Sequence, residues 1–166
     1  MRLARITRHL LSHRRQVSRL FPGPTLRAIE QAIQASEGLH AGEIRFVVEA
    51  GLDGGPLLAG QTARQRAIEL FSQLRVWDTD ERSGLLIYVL LADRAVEIVA
   101  DRGIDARVGL AAWRSICRAM EAAFRQGHFA AGVMEGVQAV TRLLVEHFPV
   151  RAHPRRNELP DAPVLL

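Results

Sequence analysis

At 166 residues the chain has the size of one domain and enough length to bury a hydrophobic core, and two domains would be cramped. Apolar residues make up 48% and aromatics only 5%, which leaves packing to aliphatic side chains and argues against an aromatic platform for nucleic acid. The net charge of +4 is carried by arginine alone, since the chain has no lysine, and arginine-only basicity is weak ground for inferring an anionic partner.

The arginines are unevenly placed. Arg2, Arg5, Arg8, Arg14, Arg15 and Arg19 crowd the start, and Arg151, Arg155 and Arg156 lie near the end. Among the first group, Leu3, Ile6, Leu10, Val17 and Leu20 recur at helical spacing until Phe21-Pro22-Gly23-Pro24, which predicts a basic amphipathic helix over residues 1–21. Such a helix can lie on an anionic membrane surface or dock on a partner. Its short stripe can equally pack on its own domain, and that is the more ordinary outcome. Arg5, Arg8, His9 and His13 interrupt the apolar residues, so no secretory signal is expected, and no apolar run is long enough to cross a bilayer. The single cysteine, Cys117, can form no internal disulfide, which favours a reducing compartment. The expected location is therefore cytoplasmic, at the periphery of the inner membrane if the basic start touches lipid.

The domain proper is expected over residues 22–148. Leu26, Ile29 and Ile33 define a helix that Gly38 can close in a left-handed cap. In residues 43–50, Ile44, Phe46 and Val48 alternate with Arg45, Val47 and Glu49, a strand with unlike faces. Residues 51–60 read as a loop. Thr62 and Gln65 have capping-box spacing ahead of a helix carrying Ala67, Ile68, Phe71 and Leu74. Residues 85–92 are an unbroken apolar run, as expected of a central strand covered on both faces and reached by a β-α-β crossover. Asp93-Arg94 turns the chain, and residues 95–101 return antiparallel, completing a hairpin. The period then becomes helical, with Leu110, Trp113, Cys117, Met120 and Phe124 on one stripe and Val133, Val137, Val140, Leu144 and Phe148 on a second helix. Residues 149–166 show no periodicity and several prolines, and are expected to form a disordered tail. The fold class is α/β, a mixed sheet with a central β-hairpin and a β-α-β crossover, sandwiched by helices.

The hairpin geometry places two acidic, glycine-containing segments side by side: Trp77 to Gly84 and Asp101 to Asp105. The parallel strand brings His40 and Glu43 to the same rim. Carboxylates spaced by turns suit a hard divalent cation, so Glu43, Asp78, Asp80, Glu81, Asp101 and Asp105 form the candidate metal set, calcium or magnesium, with Arg102 as an anion contact. The same residue types also serve as solvated turn and cap residues. The segment from Asp78 is no EF-hand, because Arg82 holds the fifth position and Val89 the twelfth. On the opposite rim, Glu49, Asp53 and Asp93 stand beyond the carboxyl ends of the parallel strands, where open α/β sheets bind ligands. Neither a phosphate-binding P-loop nor a dinucleotide fingerprint occurs, so no nucleotide is expected, and Cys117 reads as an inert core thiol.

Taken together, Gly42-Glu43-Ile44, Arg82-Ser83-Gly84-Leu85-Leu86-Ile87-Tyr88, Asp93-Arg94, Val96-Glu97-Ile98, Asp101-Arg102-Gly103-Ile104, Phe124 to Phe129 and Gly132-Val133 resemble the TPM domain family and its YgcG-like bacterial relatives. The resemblance spans roughly residues 25–148 and implies a mixed sheet sandwiched by helices. It further implies, for some relatives, calcium binding or a weak acid-phosphatase activity, and for others an accessory role in photosystem repair or receptor modulation. Many members carry Gly-x-Gly-Leu/Ile-Glu after the hairpin, where this chain has Asp101-Arg102-Gly103-Ile104-Asp105. Two functions follow as expectations. One is an accessory or binding module that holds calcium at the acidic rim and meets a membrane-associated protein partner, with no nucleic acid involved. The other is a metal-assisted phosphomonoesterase in which Asp78, Asp80 and Asp101 hold the cation and Arg102 pairs with the phosphate.

Overall fold

A computed structural model describes residues 2–150 and 157–166 of the chain. Four strands form one mixed sheet: β1 (Glu43–Glu49), β2 (Gly84–Leu90), β3 (Ala95–Ala100) and β4 (Val164–Leu165), in the order β3-β2-β1-β4. β1 and β2 run parallel, with Glu43 opposite Gly84 and Glu49 opposite Leu90, and β3 returns antiparallel beside β2. The hairpin and the crossover of the sequence reading are both present.

The crossover helix α5 (Ala63–Gln73) begins where the capping box predicts. Thr62 Oγ1 accepts from Gln65 N–H, and the Gln65 side chain accepts from Thr62 N–H. Strand β2 is buried along its whole length because each face of the sheet carries its own apolar layer. On one face Ile44, Phe46, Val48, Leu85, Ile87 and Val89 meet α3 (Gly23–Glu37), α7 (Leu110–Arg125) and α8 (Phe129–His147) through Ile29, Ile33, Trp113, Met120 and Val137. On the other, Val47, Leu86, Tyr88 and Leu90 meet Ala63, Ala67 and Leu70 of α5. The contact of α7 with α8 depends on Gly132, where a Cβ would lie 2.9 Å from Ala123 Cβ and from the Phe124 ring.

Five features correct the sequence reading. The N-terminal segment is two helices, α1 (Arg2–Leu11) and α2 (Arg14–Leu20), with extended backbone at His13. The break has a packing cause: Ile6 packs on the α5 side of the sheet and Val17 on the α3/α8 side, which one straight helix could not reach. Gly38 ends α3 in a right-handed conformation, φ −67°. Within 51–60 a short helix, α4 (Gly54–Leu58), tucks Leu57 into the core. Asp101 to Asp105 is no loop: Asp101 caps a further helix, α6 (Arg102–Val108), and its carboxylate accepts from Arg102 N–H.

The last correction concerns the tail. Residues 157–166 fold back along the free edge of β1. Leu166 N–H donates to Val48 O at 3.0 Å, Ala50 N–H donates to Leu166 O at 3.1 Å, and Leu159 is buried. An unpaired strand edge carries donors and acceptors that need partners, and a short proline-flanked strand can supply them on an edge. Arg151, Arg155 and Arg156 lie outside the described residues.

Candidate functional site

The amino end of the parallel pair is where the two predicted segments meet. Asp101 N–H donates to Gly84 O at 2.8 Å, and Glu43 N–H donates to Ser83 O at 2.9 Å, so the turn before β2, the start of β1 and the cap of α6 share one rim. Two glycines permit this approach. A Cβ on Gly103 would sit 2.8 Å from Arg82 O, and one on Gly84 would run into the carbonyl of Val76. Arg82 itself has φ 51°, a left-handed turn conformation that a non-glycine residue adopts only when its surroundings hold it there.

The rim carboxylates are dispersed over separate partners. Asp101 caps α6. Asp105 accepts from Trp113 Nε1 at 3.0 Å and so ties α6 to α7. Glu43 is buried and accepts from Glu158 and Leu159 N–H at 3.3 and 3.2 Å, holding the returning tail. Asp78, Asp80 and Glu81 are exposed in the turn, and Asp80 N–H donates to the Glu158 carboxylate at 2.8 Å. Among the described residues no three His, Cys, Asp or Glu side chains come together as a metal set. His40 is buried, its Nε2 bonded to Ser36 Oγ at 2.7 Å and its Nδ1 accepting from Gly42 N–H at 3.1 Å, which makes it a brace between α3 and β1.

The rim does contain an open depression of about 480 Å³. Arg82, Asp101 and Arg102 line it together with Phe71 and Trp77, a residue that is 52% exposed. Nearby, the Ser83 hydroxyl is buried without a hydrogen-bond partner. From the sequence Arg102 alone reads as an anion contact, and Arg82 does not. The shape of the depression was not legible, because Phe71 comes from the end of α5.

The opposite rim holds two ionic clusters. Glu49 receives both nitrogens of the Arg66 fork, at 2.9 and 3.1 Å, and the Tyr88 hydroxyl, at 2.5 Å. Burial and the adjacent Glu49 carboxylate push the Tyr88 phenol far up, and the bonds to Glu49 raise Arg66. Asp93 accepts from Arg5 Nη2 at 2.8 Å and pairs with His9 Nε2 at 3.0 Å, while Leu52 N–H donates to His9 Nδ1 at 2.9 Å. Although burial alone would raise it, Asp93 lies below the ordinary carboxylate range because Arg5 and His9 outweigh that effect. Asp53 stays exposed at the start of α4. Both clusters join structural elements, and the docking of Arg5 and His9 on Asp93 had no sequence signal, since a basic segment ordinarily reads as a solvated face.

At the outer edge of the sheet, Val96 N–H of β3 donates to Glu121 at 3.1 Å, and Ile98 O accepts from Arg64. Cys117 lies against this edge, and burial pushes its thiol up to about 12. The side chain is half-buried beside a depression and not in the core, and at that value the thiol stays protonated at neutral pH.

The TPM domain matches residues 17–143. The chain belongs to the TPM domain family. Its structure is similar to that of the BA42 protein from the psychrophilic bacterium Bizionia argentinensis, with TM-score 0.76, 28% identity, and coverage of 87% of this chain and 94% of the other. It is also similar to the N-terminal domain of a P. gingivalis protein, with TM-score 0.63, 25% identity, and coverage of 80% and 83%. No curated protein sequence matches it. The mixed sheet with helices on both faces is thus the TPM arrangement in this chain, and no helix among the described residues is long and apolar enough to cross a membrane.

Proposed function

We propose that this TPM domain is an accessory binding module without chemistry of its own, taking an anionic group of its partner in the depression between Trp77, Arg82 and Arg102. The observation that carries this reading is the composition of that depression. Two arginines and the exposed Trp77 line the open space; Asp101 lines it too but its carboxylate caps α6, while Asp105 and Glu43 are engaged away from it. Arginine forks suit phosphate or carboxylate oxygens, and an exposed indole adds a flat apolar surface beside them.

Calcium at this rim, held by Glu43, Asp78, Asp80, Glu81, Asp101 and Asp105, is supported less. Three of those carboxylates would have to leave the hydrogen bonds they now accept and converge with the other three. The metal-assisted phosphatase depends on the same convergence. Amide NMR titrations with inorganic phosphate and, separately, with calcium chloride distinguish the three readings. Phosphate is expected to shift the amides of Arg82 and of residues 100–103, and Arg102→Ala is expected to abolish the response. Localised shifts with calcium alone would favour the cation site instead. Chelator-sensitive turnover of a phosphomonoester that is lost in Asp101→Ala would establish the hydrolase and overturn the binding module.

A further inference from the structure

Helix α1 is mounted with its polar side inward. Arg5 and His9 face the domain and close on Asp93, and a Cβ added at Gly51 would meet the His9 carbonyl oxygen at 3.1 Å, so the helix lies hard against the chain beneath it. Its leucines consequently point the other way. Leu3, Leu10 and Leu11 are 82%, 62% and 72% exposed, with Thr7 between them on the outer face. Large apolar side chains grouped on one surface call for a partner.

The segment that carries this face, α1 with α2, has charge of one sign along the chain. No aspartate or glutamate occurs before Glu30, whereas seven arginines do. Arg8 reaches the Asp93 carboxylate at 3.6 Å yet keeps 62% of its side chain exposed, and Arg15 and Arg19 of α2 are exposed as well. Arg14 is also exposed, with one nitrogen donating to Leu165 O at 2.9 Å.

From this juxtaposition we propose that α1 docks on a membrane surface of anionic phospholipid, sinking Leu3, Leu10 and Leu11 among the acyl chains while Arg8, Arg15 and Arg19 meet the headgroups. Only such a surface offers both halves of the match, since apolar depth and negative charge lie within one headgroup layer. Nucleic acid would satisfy the arginines and leave three leucines in water. A second copy would cover the leucines and bring the exposed arginines of two copies together, at a cost in repulsion. This interaction is independent of the depression at Arg102, which belongs to another part of the fold.

Vesicle flotation of the full chain tests it, with phosphatidylglycerol-containing vesicles compared with phosphatidylcholine alone. Binding is expected on the anionic vesicles only, weakening as salt rises. The triple variant Leu3→Gln, Leu10→Gln, Leu11→Gln should lose about tenfold or more in affinity, because the apolar contribution to interfacial binding scales with buried area. These positions are exposed, so an unchanged melting temperature verifies that the variant folds. Arg8→Gln, Arg15→Gln, Arg19→Gln should flatten the salt dependence. Three outcomes would overturn the proposal: no flotation with anionic vesicles at low salt, equal flotation of the leucine variant, or leucine-dependent dimerisation with no vesicle binding. Arg102→Ala should float like the wild-type chain whether or not the depression binds phosphate.

Discussion

Glu49 shows how a single residue can change meaning between sequence and fold. On the sequence it closes a strand and reads as a rim carboxylate available to a ligand. In the structure its side chain is only 8% exposed and is consumed by Arg66 and Tyr88. Removing Arg66 would leave a carboxylate and a phenol buried without their cation. Arg66→Met is therefore expected to destabilise the domain by about 3–5 kcal/mol, the usual consequence of breaking a buried pair on one side. Chemical denaturation measures this directly, and a loss within experimental error of zero would mean that Glu49 is hydrated well enough not to need the arginine. His9 makes the same point. Nothing in an arginine-rich segment marks one histidine as buried, and only the fold brings Asp93 to it from 84 positions away.

Among the elements, those whose signals are local were the legible ones. The capping box at Thr62 needs only residues three apart, and it forms as read. Thr62→Ala is expected to cost about 1 kcal/mol, since Gln65 N–H loses its acceptor and the reciprocal bond loses its geometry. A thermal melt against wild type checks this, and an unshifted midpoint would show that the first turn of α5 holds without its cap. The elements that were misread depend on distant partners. α1 and α2 break apart because Ile6 and Val17 belong to opposite faces of the sheet. The final residues become ordered because the β1 edge offers Val48 O and Ala50 N–H to Leu166. Helix α6 was hidden because its first turn carries acidic and glycine residues that also suit a metal-binding loop, and it was the capping role of Asp101 that prevailed.

Over the whole molecule, the returning tail places charge beside charge at one end of α3. Burial raises the Glu37 carboxyl from an ordinary 4.5 to about 8, against the opposing pull of the Ile44 N–H bond and with the neighbouring Glu43 and Asp161 adding to the rise. A folded-state value above the unfolded one means that this group's contribution is fully present below pH 4.5 and is lost as pH rises through about 8. Glu37→Gln should therefore flatten the decline in melting temperature over that range. An unaltered slope would assign the pH dependence to other groups.

What the sequence determined by itself was the sheet and its handling of the core: period-two alternation in β1, an unbroken apolar run in β2, a hairpin turn at Asp93-Arg94, and family motifs that place the chain among TPM domains. These are short-range patterns, and short-range patterns survive without tertiary contacts. The candidate site was legible only as a location. Which carboxylates face solvent, which side of α1 faces outward, and what covers the β1 edge were decided by packing and by hydrogen-bond partners far away in sequence. Most buried polar groups find such a partner, and the identity of that partner is a property of the fold alone.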